Sequence, residues 1–245
     1  MGKSVQFLFK HVFVSRVFLA WIEKALWPSY YLCVGLLGFG LYHGLYTVPV
    51  DVTQGEVFRI IYIHVPLAVL SLGLYCGVGM CAILERGLHM KIASAYALSL
   101  SIVGALCTLL AIITGAIWAK PTWGTWWVWD ARLTSELILL MLYISYISVR
   151  MCIKPIEVSR KIAAYIAMLG MIDIPFVHYS VEWWYTLHQG STILHFAKPK
   201  MPWMMLWPLL ICILASFGLI AVMVMHTTSV VLLIEKKRKQ ERLKS

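Results

Sequence analysis

Along most of the chain, polar side chains interrupt long apolar runs instead of alternating with apolar ones. A helix needs about 20 mostly apolar residues to cross the hydrocarbon layer, with a range of about 17–25. Six runs meet that length, at roughly 29–46, 60–84, 93–118, 133–149, 162–179 and 203–225. None alternates as a barrel strand would, and lipid admits only helices or closed barrels. The pattern predicts an all-α fold: a polytopic membrane bundle of six transmembrane helices, forming a single integral membrane domain over residues 1–245. The sixth run stays apolar to Ile234, so its helix is expected to project beyond the bilayer, before a basic cytoplasmic tail over 235–245. Residues 11–27 hold Arg16, Glu23 and Lys24 among apolar positions and lack a small-residue cleavage site. They predict an amphipathic helix on the inner surface, not a cleaved signal peptide.

Composition agrees with this pattern. Hydrophobic side chains make up 61% of the 245 residues and charged ones only 13%. Soluble domains run at about 45–50% and about 25%, so a water-soluble fold would expose a large apolar area. The net charge of +10 raises the question of nucleic acid. Its placement answers it: 16 of the 21 Lys and Arg lie in the N-terminal segment, the C-terminal tail and the loops 85–92 and 150–161. The loops 47–59, 119–132 and 180–202 hold the other five. This is the positive-inside distribution. It predicts cytoplasmic termini and, in a bacterial inner membrane, periplasmic placement of the other three loops, with no nucleic-acid partner. Lys236, Lys237, Arg238 and Lys239 then read as a stop signal at anionic headgroups of the lipid bilayer.

Tryptophan changes the picture most. Nine of the 11 fall at or beyond the outer ends of the predicted spans, and only Trp21 and Trp27 lie inside. An aromatic belt would populate both interfaces. It also leaves unexplained the Trp-rich outer loop 119–132, where W-G-T-W-W-V-W-D occupies residues 123–130. At roughly 150–250 Å² per large aromatic, Trp123, Trp126, Trp127 and Trp129 carry on the order of 600–1000 Å². Exposed apolar patches above about 300–600 Å² usually have a function, and this one suits a large, flat, apolar ligand.

Two histidines flank the loop in chain order: His64 at the start of the second span and His188 in the third outer loop. Either can be a hydrogen-bonded structural residue, or the pair can bind a metal such as haem iron. Trp184 lies four residues before His188, so one helical turn would place indole and imidazole on one face. Arg59 and Arg132 offer guanidinium forks for propionates, against lipid phosphate for Arg59 and pairing with Asp130 for Arg132. Asp130 is expected to cap the fourth helix. Glu136 and Asp173 fall within spans, where ionisable residues are rare and often functional; bonding between helices is the alternative. His43, His178 and His195 also lie towards the outer side, without the Trp context of His188. The six cysteines form no C-x-x-C or C-x-x-C-H, so covalent haem attachment to this chain is unsupported.

W-G-T-W-W-V-W-D-A-R-L-T-S-E resembles the WWD signature of haem-handling proteins. Over nearly its whole length the chain is similar to the CcmC family of cytochrome c maturation. D-V-T-Q-G-E-V-F-R-I at 51–60, H-V-P at 64–66 and V-E-W-W-Y-T-L-H-Q-G at 181–190 carry the likeness. The resemblance implies haem b with His64 and His188 as axial ligands and Trp123, Trp126, Trp127 and Trp129 as a platform. It further implies Arg59 and Arg132 near the propionates, and Asp51 and Gln54 in the same functional loop. Its partners would be the haem chaperone CcmE, the small protein CcmD and the ABC-type subunits CcmA and CcmB. The chain has no Walker A motif and no catalytic motif of its own. A haem or solute permease and a b-type electron-transfer protein are the alternatives.

Overall fold

A computed structural model describes residues 16–188 and 201–242. Helix α1 spans Arg16–Tyr42 and continues as a π turn, His43–Thr47. A loop and a 3-10 turn, Glu56–Ile60, lead into α2, Ile61–Leu88. Then follow α3 (Lys91–Trp123), α4 (Ala131–Cys152), α5 (Ile156–Gly170), α6 (Asp173–Trp183) and α7 (Trp203–Arg242). Six helical segments among the described residues are long and apolar enough to cross a membrane, with α5 and α6 counting as one. The fold is an all-α polytopic bundle, as expected.

Its core is built by close approach of helices. On α2, Leu70, Leu74, Val78 and Ala82 recur at four-residue spacing and are buried with Tyr75. They meet Ala95, Val103 and Cys107 of α3, Leu139 and Tyr143 of α4, and Ala163 and Ala167 of α5. Small residues let backbones come together in lipid, where no hydrophobic force draws helices into contact. A second cluster sits nearer the Trp loop, where Tyr62 donates to the Met205 carbonyl of α7 at 3.0 Å.

Two sequence expectations need correction. The helix that starts at Arg16 runs unbroken through Pro28, so no separate surface helix ends at residue 27; residues 11–15 lie outside those described. The fifth span is two half-helices, broken at Met171–Ile172. The break is closed by tight bonds, Ile172 N–H to the Leu169 carbonyl at 3.1 Å and Ile174 N–H to the Met171 carbonyl at 3.3 Å. The last helix, α7, continues through the basic residues to Arg242. Glu235 anchors it there, accepting from Arg150 at 3.2 Å and Arg160 at 2.8 Å.

Candidate functional site

At the tryptophan end, the bundle holds a cavity of about 170 Å³. His64 of α2, Gly115 and Trp118 of α3, Arg132 and Glu136 of α4, and His178 of α6 line it. Trp123, Trp127, Gln54 and His188 complete its rim. His64 and His188, far apart in the chain, thus face one space.

Each side chain is held from behind. His64 Nδ1 lies 3.0 Å from the Thr114 hydroxyl, and the indole of Trp118 meets its ring edge-on at 5.6 Å. Trp118 Nε1 donates to Gln54 Oε1 at 2.8 Å. Gln54 is presented by a turn that Asp51 builds: Asp51 Oδ1 accepts from the N–H groups of Thr53 at 2.9 Å and Gln54 at 2.7 Å, and from the Thr53 hydroxyl at 3.0 Å. Burial pushes the Asp51 carboxyl up, but these three bonds to its charged form outweigh it and hold its pKa below the ordinary value. A chain of contacts therefore runs from Asp51 through Gln54 and Trp118 to His64.

His188 is positioned from the other side. The Thr186 hydroxyl accepts from the His188 N–H at 2.9 Å and itself donates to Asp130. Asp130 caps α4 as expected, accepting from Leu133 N–H at 2.8 Å. The Trp loop and the third loop are thereby latched together, and Trp123 approaches His188 at 6.2 Å. Gly124, with φ +77, ends α3 and turns the chain into the Trp loop.

Several predicted site residues stand elsewhere than the sequence suggested. Trp184 and His188 do not share a helical turn, since α6 ends at Trp183 and Trp184 is extended; its ring stacks on Phe176 instead. The four loop indoles do not share one surrounding: Trp123 and Trp127 line the cavity, while Trp126 and Trp129 are exposed. Arg59 pairs with Glu56, donates to the Gly44 carbonyl at 3.3 Å and is not among the lining residues. Arg132 lines the cavity and donates to the Val177 carbonyl at 2.6 Å in place of pairing with Asp130. His43 packs on Trp207, away from the cavity, and His195 lies outside the described residues.

Sequence reasoning passed over Thr114 and Gly115 and gave His178 a minor place. Nothing marks a threonine inside an apolar run as a histidine's partner until two helices are packed. Glu136 was singled out by its charge, and it lines the cavity while accepting from Ser71 at 2.8 Å.

The family model for haem exporter protein C matches residues 8–244 of the chain. That is nearly its whole length. The chain belongs to the haem exporter protein C family. It is 39% identical over 223 residues to the haem exporter protein C of Escherichia coli K12, covering 90% of this chain and 86% of that protein. Identity to the Haemophilus influenzae haem exporter protein C is 42% over 183 residues, covering 75% and 74%. A putative cytochrome c biosynthesis ccmC-like mitochondrial protein of Marchantia polymorpha is 35% identical over 210 residues, covering 85% of this chain and 89% of that one. The range of the family model thus takes in both halves of the site, from Asp51 to His188.

Proposed function

We propose that the chain handles haem during cytochrome c maturation, holding haem b in the cavity with His64 and His188 as axial ligands. The observation that carries this reading is that both imidazoles line one cavity walled by Trp118, Trp123 and Trp127. The residues suit the group. The indole N–H of Trp127 is buried without a hydrogen-bond partner in a cavity wall, as a donor awaiting an acidic ligand group would be. No group of three or more His, Cys, Asp or Glu able to hold a bare ion occurs among the described residues. A pair of imidazoles suffices for haem iron, because the macrocycle supplies the equatorial donors.

In this reading Trp123 and Trp127 flank the macrocycle, and Arg132 serves a propionate. Trp126 and Trp129 stay outside as a surface for a protein partner. Trp184 supports the third loop. Arg59 ties the segment before α2 to the Gly44 carbonyl, beside the turn of Asp51 and Gln54. Bound haem supplies an iron with axial positions and a reactive vinyl edge. The protein binds and orients, and orientation alone is worth up to about 7–11 kcal/mol of barrier. The recipient is the chaperone CcmE, with CcmD, CcmA and CcmB as companions. The Lys and Arg distribution supports a periplasmic cavity in a bacterial inner membrane, with cytoplasmic termini.

The test is an absorption spectrum of the purified protein beside His64→Ala and His188→Ala. Each variant is expected to retain less haem, with a changed axial-ligand signature. Wild-type spectra and retention in both would overturn the proposal.

A further inference from the structure

His64 meets α3 at a place fitted to its ring. An ideal Cβ built on Gly115 would come within 3.1 Å of His64 Cε1 and 3.7 Å of Nδ1. A contact of 3.0–3.4 Å is tighter than nine in ten real Cβ contacts, so a Cβ at 115 requires the imidazole to shift by a few tenths of an ångström. Beside it, Thr114 Oγ1 sits 3.0 Å from Nδ1. That oxygen also reaches back along its own helix to the Leu110 carbonyl at 2.7 Å and the Ala111 carbonyl at 3.1 Å.

A hydroxyl has one proton to give. Here it goes to the Leu110 carbonyl, which has no proton of its own and at 2.7 Å lies closer to the hydroxyl than the imidazole does at 3.0 Å. Oγ1 is left as an acceptor towards the imidazole. Nδ1 then carries the ring proton and Nε2 the lone pair. The opposite tautomer would set Nδ1 against a hydroxyl that must abandon its carbonyl to donate.

We infer that Thr114 and Gly115 are positioning residues that hold His64 as its Nδ1–H tautomer, with Nε2 presented to a metal in the cavity. Thr114 selects the tautomer, and Gly115 provides the space in which the ring can reach it. The metal in this statement rests on the haem reading of the cavity; the tautomer does not. A histidine ligand whose other nitrogen donates to a fixed acceptor keeps its orientation and gains basicity, and loss of such a partner typically costs about 10–100-fold in metal affinity.

Two measurements on the full chain separate these claims. Nitrogen-15 spectra of the haem-free protein, with His64 assigned by its loss in His64→Gln, report which ring nitrogen is protonated. Wild type and Thr114→Ser should show protonated Nδ1, and Thr114→Val should shift towards protonated Nε2. Protonated Nε2 in the wild type, or an identical tautomer in Thr114→Val, overturns the inference. Haem titration is the second measurement. Thr114→Val and Gly115→Ala should weaken binding about 10–100-fold, and Thr114→Ser should restore it. If Thr114→Val fails to fold, the wild-type spectrum and Gly115→Ala still decide. Normal haem binding by His64→Ala would sink the haem reading and leave the tautomer standing. Haem loss in His64→Ala with normal binding in Thr114→Val and Gly115→Ala would sink the positioning role alone.

Discussion

Replacing Gln54 with Ala tests the contact chain that supports His64 without touching the histidine. Gln54 Oε1 is the acceptor for Trp118 Nε1 at 2.8 Å. Trp118 is partly buried and packs edge-on against both His64 and Phe58. Truncation strands the indole N–H, and a buried donor left unsatisfied costs about 1–3 kcal/mol. In a chain of this size, each kcal/mol moves the unfolding midpoint by about 2–4 °C. Gln54→Ala should therefore lower the melting midpoint of the haem-free protein in detergent by about 2–12 °C. The control is Trp118→Phe, which removes the donor while keeping an aromatic ring. In that background Gln54→Ala should cost little, giving a coupling energy of about 1–3 kcal/mol. Equal losses from Gln54→Ala in both backgrounds would refute the reasoning, because the damage would then not pass through the indole.

Three further outcomes are expected. Asp130→Ala removes the cap of α4, worth about 1 kcal/mol, and frees Thr186; it should increase protease cleavage in the third loop, whereas Thr186→Val should do so without the loss of stability. Glu235→Ala leaves the buried guanidinium of Arg150 and that of Arg160 without their shared carboxylate, and should cost about 3–5 kcal/mol in a detergent melt, more than Glu157→Ala. The Asp51 carboxyl has its folded pKa lowered, so its contribution is complete above the unfolded value and fades as pH falls through the folded one; Asp51→Asn should flatten the acid limb of a stability–pH curve and leave the neutral limb unchanged in slope.

The bundle was legible because the length and apolar character of each span are properties of the chain alone. The paired histidines, the cap at Asp130 and the Trp loop were legible because those residue types are unusual at a membrane edge. What escaped the sequence depends on packing. A helical turn at 184–188 was a fair expectation from spacing, but α6 ends at Trp183, and the Thr186–Asp130 bond draws the following residues inward. Arg59 carries no mark that distinguishes a propionate partner from a Glu56 partner; the short spacing to Glu56 decides it. The division of the four indoles follows from the turn at Gly124, which the letters do not orient. Thr114 and Gly115 are ordinary members of an apolar run until α2 lays an imidazole across them.

The interruption at Met171–Ile172 divides the helix that forms one wall of the cavity from the core beneath it. Helix α6 carries His178 and Val181 and leads directly to His188, and a short tightened turn joins it to α5. Above the break, α6 is bonded to α4 through Arg132 and the Val177 carbonyl, while below it Ala163 and Ala167 pack in the main core.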